Sequence, residues 1–174
     1  REALKAGAAM INDITALSGD RKMPAVVAGA GCPVCLMHMQ GEPRTMQENP
    51  RYQDVLRELV EFFYDRTERA MGEGIESRNI IIDPGIGFGK SLEHNLAIIR
   101  NLGSFLSLGF PVMIGASRKR FLGEILKAET EERLPGTVAV SVLACQKGAQ
   151  IFRVHDVREN YEALKVAEAV EQRQ

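Results

Sequence analysis

At 174 residues and 45% hydrophobic content, the chain is long enough to bury one sizeable core and is most simply a single domain over residues 1–174. A net charge of −1 argues against strongly electrostatic partners such as nucleic acid or an anionic membrane. No apolar run approaches a membrane span, no charged-then-apolar leader opens the chain, and three sparse cysteines suit a reducing compartment, so the cytoplasm is the expected location.

In chain order, one unit recurs: an amphipathic helix, a glycine or short turn, a short apolar strand, and a polar cluster where the strand stops. The first is "REALKAGAAMINDI", where Gly7 can cap a helix and the strand around Met10 delivers Asn12 and Asp13. "PAVVAGAGC" offers a short helical piece before the strand in "PVCLMHMQG", which delivers His38 and Gln40. The pair Cys32 and Cys35 runs into that strand instead of opening a helix and has no second cluster to complete a zinc site, so it reads as packing. The longest helix is expected over residues 52–71, with Leu56, Leu59, Val60, Phe63, Thr67, Ala70 and Met71 on one stripe. The strand "NIIID" then ends on Asp83.

After it comes "DPGIGFGKS", Asp83 to Ser91, which resembles a phosphate loop only superficially. Such a loop needs four residues between its first glycine and Gly-Lys, and the position required here is Pro84, which has no N–H to donate. The glycines therefore serve the aspartate. Ser91 caps the next helix, with Glu93 in its first turn. The strand "PVMIGAS" delivers Ser117, Arg118 and Lys119; a helix spans residues 134–147; and "QIFRVHDV" delivers Arg153, His155 and Asp156 before a last helix carries the chain to its end.

Strands apolar on both faces and separated by helices indicate a parallel α/β sheet covered by helices. The alternation suits an open doubly wound sheet as well as a closed barrel. Polar residues at the carboxyl end of every strand favour the (β/α)8 architecture of the TIM barrel, whose mouth is assembled that way. Five strands are expected where such a barrel uses eight, so the chain reads as about the last five βα units of an incomplete barrel. The first and last strands would then have open edges, and the apolar inner faces would lose their opposite wall, leaving a chain that is not a stable, active monomer by itself.

The segments "INDI", "LMHMQGEPRTMQ", "IIIDPGIGFGKSLEHNLAIIRNL", "GASRKRFLG" and "FRVHDV", in this order, resemble the bacterial dihydropteroate synthase family over essentially the whole chain. The resemblance implies a TIM barrel, usually a homodimer, that joins 6-hydroxymethyl-7,8-dihydropterin diphosphate to p-aminobenzoate with release of diphosphate, uses Mg2+, and is inhibited by sulfonamides. It implies pterin contacts from Asn12, Met37, Asp83, Phe88, Gly115, Lys119 and Arg153. It also implies p-aminobenzoate contacts from Ser117 and Phe88, diphosphate contacts from Arg153 and His155, and catalytic roles for Lys119 and Arg153. The metal-associated asparagine, a Thr-Arg pair and a pocket-floor aspartate are expected upstream of Arg1, so no metal ligand is expected in this chain.

These assignments are chemically reasonable. A buried carboxylate at Asp83 can accept two N–H bonds from a pterin edge, and Asn12 offers that edge both donor and acceptor. Lys119 would donate to the pterin carbonyl, Ser117 would reach the p-aminobenzoate carboxylate, and the planar Arg153 guanidinium could lie over the pterin face. Met37 and Phe88 supply apolar walls. Two rival readings are a pterin-binding methyltransferase of the same superfamily, which has no use for "SRK" and "RVHD", and a non-catalytic pterin-binding remnant whose helices still dimerise.

Overall fold

A computed structural model describes residues 1–171. Its five strands are β1 (Ile11–Asp13), β2 (Val34–Met37), β3 (Ile80–Asp83), β4 (Met113–Ile114) and β5 (Ile151–Phe152). The helices are α1 (Glu2–Lys5), α2 (Met23–Ala30), α3 (Val55–Gly72), α4 (Leu92–Arg100), α5 (Gly103–Leu106), α6 (Arg120–Leu126), α7 (Leu134–Gln146) and α8 (Val157–Glu171). Every strand pairing is parallel, in the order β1-β2-β3 and β4-β5, and a bridge between Ile82 and Val112 joins the two groups. The expected α/β alternation is therefore present. β4 and β5 are shorter than "PVMIGAS" and "QIFRVHDV" led one to expect, because the chain turns away to form the loops that carry Ser117 and His155.

Local signals set the helix ends. α3 starts at Val55, three residues after the expected start at residue 52, because the Asp54 side chain accepts hydrogen bonds from the Leu56 and Arg57 N–H groups at 3.0 and 3.1 Å. Ser91 caps α4 as expected, and the reciprocal partner in its capping box is His94. The last helix extends to Glu171, and the remainder of its expected span lies outside the described residues.

Side chains alternate across a strand, so each strand divides its residues between two faces. Val34, Leu36 and Ile80 pack outward on Val27 and Ala70, while Ile82, Val112 and Ile114 pack on Leu59, Phe63, Ile98 and Phe105. Phe63 is fully buried in this layer, and truncating it to alanine would cost about 3–5 kcal/mol. The opposite face carries Cys35, Ile81, Met113 and Ile151 in one row. One step toward the carboxyl ends, the next row is Met37, Asp83, Gly115 and Arg153.

That inner face corrects one expectation. Cys35, Met37, Ile81 and Met113 are all buried, so the large exposed patch is not there. The reason is curvature. Five strands laid flat at about 4.8 Å spacing would separate β1 from β5 by about 19 Å, further than an arginine side chain can span. Yet Arg153, following β5, donates to Asn12 Oδ1 on β1 at 3.3 Å, so the sheet curls and its inner residues cover one another. Open edges do occur as expected: among the described residues β1 pairs only with β2, and β5 only with β4.

Candidate active site

The polar residues at the strand ends converge at the mouth of this curved sheet. Asp83, the last residue of β3, is 1% exposed. Its Oδ1 accepts the Gly85 N–H at 2.7 Å, and its Oδ2 lies 3.4 Å from Arg153 Nη2. Burial pushes its carboxyl above the usual carboxylate range, opposed by the Gly85 bond and the charges of Arg153, Lys90 and Lys119. The turn after Asp83 requires glycine for steric reasons as well as for its positive φ. A Cβ on Gly85 would fall 1.9 Å from the His38 carbonyl oxygen, and one on Gly89 would fall 2.3 Å from that of Gln40.

Arg153 bridges Asn12 and Asp83 with its side chain 42% exposed, so its face is open to a ligand. Its place depends on Gly115, where a Cβ would meet Nη2 at 2.7 Å. The Lys119 ammonium sits 4.0 Å from the Phe88 ring centroid, a cation–π contact. Burial and then Arg153 hold the Lys119 amine below the usual lysine range, while Asp83 acts in the opposite sense. The Ser117 hydroxyl lies 2.9 Å from His155 Nδ1 and accepts the His155 backbone N–H at 3.2 Å. Phe88, Gly115, Ser117, Lys119, Arg153 and His155 line one cavity of ≈ 280 Å³.

All the expected site residues are thus brought together except that Met37 offers no free surface. It is fully buried beneath Gly85, a floor under the turn and not an open wall. Asp13 takes no part in the mouth. Its carboxylate accepts from Thr15 N–H and hydroxyl and from Leu17 N–H, holding Ala16 and Leu17 in the left-handed conformation. Cys35 is packing, as expected: it lies fully buried with Sγ 3.7 Å from the Met113 sulfur, and burial pushes its thiol up. Among the described residues no group of three or more His, Cys, Asp or Glu comes together that could hold a metal ion.

Two features escaped the sequence reading. Arg118, in left-handed conformation, makes two hydrogen bonds to Asp156, at 3.1 and 2.6 Å. It thereby locks the Ser117–Lys119 loop to the Arg153–His155 loop. The second is Lys90, buried against His38 and the Phe88 carbonyl. The available signal was a lysine directly before a helix cap, where the helix dipole disfavours a cation.

A parallel α/β sheet with a polar, charged cavity at the carboxyl ends of its strands defines a ligand-binding enzyme architecture. Comparison with known proteins narrows the class: the pterin binding enzyme family matches residues 1–155, and the chain belongs to that family. It is 46% identical over 169 residues to the dihydropteroate synthase of Escherichia coli K12, covering 97% of this chain and 60% of the relative. With that of Haemophilus influenzae the identity is 44%, covering 97% of this chain and 61% of the relative. The chain therefore spans about 60% of the length of the curated relatives it matches. Among solved structures, Yersinia pestis dihydropteroate synthase in a sulfonamide drug complex superposes with TM-score 0.94 at 41% identity, over 98% of this chain and 62% of that one. The Xanthomonas albilineans enzyme in complex with 7,8-dihydropteroate gives 0.93 at 42%, over 100% and 63%.

Proposed function

We propose that the chain is the C-terminal part of a dihydropteroate synthase, a single domain supplying about the last five βα units of a (β/α)8 barrel. The observation that carries this reading is the buried Asp83 carboxylate with one oxygen directed toward Arg153, whose side chain in turn lines an open cavity together with Lys119. A pterin edge presents an amide and an amino group, and such a carboxylate can accept from both. Asn12 adds a donor and acceptor beside it, and Arg153 and Phe88 offer faces for the flat ring. Lys119 then stands at the pterin carbonyl, Ser117 at the carboxylate of p-aminobenzoate, and His155 with Arg153 at the diphosphate.

In the reaction, the amine nitrogen of p-aminobenzoate forms a bond to the pterin methylene carbon as the carbon–oxygen bond to diphosphate breaks. The amine gives up a proton, and diphosphate leaves with the electron pair. The aromatic amine is neutral at pH 7, so no strong base is required. The residues contribute by aligning the two substrates and by meeting the leaving group's charge with Arg153 and Lys119. Magnesium belongs to this reading as a counter-ion to diphosphate. Among the described residues no three His, Cys, Asp or Glu side chains come together to hold it, so diphosphate itself would have to supply most of its ligands.

The same reading makes the protein a cytoplasmic homodimer whose site accepts sulfonamides in place of p-aminobenzoate. The methyltransferase alternative is not favoured, because Ser117, Lys119, Arg153 and His155 share one cavity. None of the described helices is long and apolar enough to cross a membrane. The test is formation of 7,8-dihydropteroate from p-aminobenzoate and dihydropterin diphosphate by the full-length gene product, with sulfonamide competing against p-aminobenzoate. Arg1–Gln174 expressed alone is expected to be inactive and not to sediment as a cooperatively unfolding monomer. A well-folded full-length protein that binds pterin but forms no product would refute the synthase reading.

A further inference from the structure

Lys90 is buried at 3% exposure, although it directly follows a glycine-rich turn. Its amine donates to His38 Nδ1 at 3.0 Å, to the Phe88 carbonyl at 3.0 Å and, more weakly, to the His38 carbonyl at 3.4 Å. With the amine as donor, Nδ1 accepts and His38 carries its proton on Nε2. Burial and the Lys90 charge push His38 down to about 3, so the ring stays neutral and able to accept. Burial likewise pushes Lys90 down to about 7, with Asp83 opposing and Lys119 adding to the fall.

Keeping a lysine here opposes folding. A buried amine loses its hydration, and a methionine of similar length would fill the space without that cost. What the amine does provide is a join between the end of β2 and the backbone of Phe88. The turn has other fastenings: Asn95 Oδ1 accepts the Gly87 N–H at 2.8 Å, and the Tyr52 hydroxyl donates to the Gly89 carbonyl at 2.8 Å. Those hold the glycines on either side. Lys90 holds Phe88 itself, and the Phe88 ring holds the Lys119 ammonium at 4.0 Å.

We propose that Lys90 is a positioning residue for the condensation: by clamping the Phe88 carbonyl to His38 it fixes the Phe88 ring, and with it the point at which Lys119 presents its ammonium to the substrates. The catalytic part of this inference rests on the synthase reading, whereas the clamp itself does not. Lysine suits the task because three acceptors converge on one point, which an ammonium can meet with three donors and a planar guanidinium cannot. Loss of one proton leaves two N–H donors, so the clamp persists through the titration of Lys90.

The experiment compares wild type with Lys90→Met in the full-length gene product by three measurements. The first needs no substrate: the upfield NMR displacement that the Phe88 ring current imposes on the Lys119 ε-methylene protons. The second is the split between KM for p-aminobenzoate and kcat, and the third is Tm. The expected result is loss of the displacement and a rise of at least tenfold in KM, with Tm unchanged or raised. A lowered Tm with displacement and KM intact would show a merely structural lysine and overturn the proposal. So would a lost displacement with unchanged kinetics in an active enzyme. If wild type makes no dihydropteroate, loss of the displacement still upholds the clamp and sinks only the synthase reading, while its retention overturns the clamp. Should Lys90→Met fail to fold, Lys90→Arg, which keeps the charge but not the three-way donor geometry, carries the same comparison.

Discussion

Replacing Asp83 by asparagine changes one oxygen to an amide nitrogen at almost constant volume, in a site where the side chain is 1% exposed. The structure determines which oxygen is given up. The Gly85 N–H at 2.7 Å requires an acceptor, so the asparagine oxygen should take that side. The new NH2 then faces Arg153 Nη2, formerly 3.4 Å from Oδ2, and it can no longer accept the N–H that the proposed pterin would donate there. Two donors meet where donor and acceptor met before. Hydrogen bonds to charged groups contribute about 1.5–3 kcal/mol, so pterin affinity should fall about 10- to 150-fold. The fold should not suffer, since burial already raises the Asp83 pKa and the substitution removes a charge that is costly to bury. Titration calorimetry with a dihydropterin, beside thermal unfolding of the same sample, separates the two effects. Unchanged pterin affinity in a cooperatively folded Asp83→Asn protein would refute the assignment.

Lys119→Ala and Arg153→Ala should each lower kcat/KM by more than about tenfold with cooperative unfolding retained, since both cations line the cavity where the proposed leaving charge would develop; wild-type steady-state kinetics in either variant would show that residue to be dispensable for turnover. Gly115→Ala places a Cβ 2.7 Å from Arg153 Nη2 at a backbone conformation alanine tolerates, so Arg153 should swing away from Asp83 and pterin KM should rise with little change in Tm, whereas an unchanged KM would show that the Asp83–Arg153 approach is dispensable. The folded pKa of Lys90 is about 7, below its ordinary 10.5, so the unfolded chain holds the extra proton between those values and wild-type stability should gain with rising pH across that window. The shift amounts to up to ~5 kcal/mol, and Lys90→Met should lead in stability near pH 6 and lose that lead toward pH 10; parallel stability–pH curves would show that the lysine is not desolvated.

The sequence by itself determined the five strands, the longer helices and the strand-end residues, though not the short helices α5 and α6. A strand of "NIIID" composition reads as buried on both faces, Ser91 and Gly7 announce helix limits, and Pro84 forbids a phosphate loop, all through interactions within a few residues. Tertiary structure decided what those residues face. Met37 looked like a wall and is a floor, because the Asp83–Gly89 turn folds over it. The inner face looked open and is closed, because parallel strands curl far enough for Arg153 to reach Asn12 across 141 positions of sequence. Lys90 had no role once the phosphate-loop match failed, and it is buried because β2 brings His38 beside it. Periodicity and capping are local and can be read along the chain, but whether a polar group ends in water, in a cavity or against another strand depends on which distant segment arrives next to it.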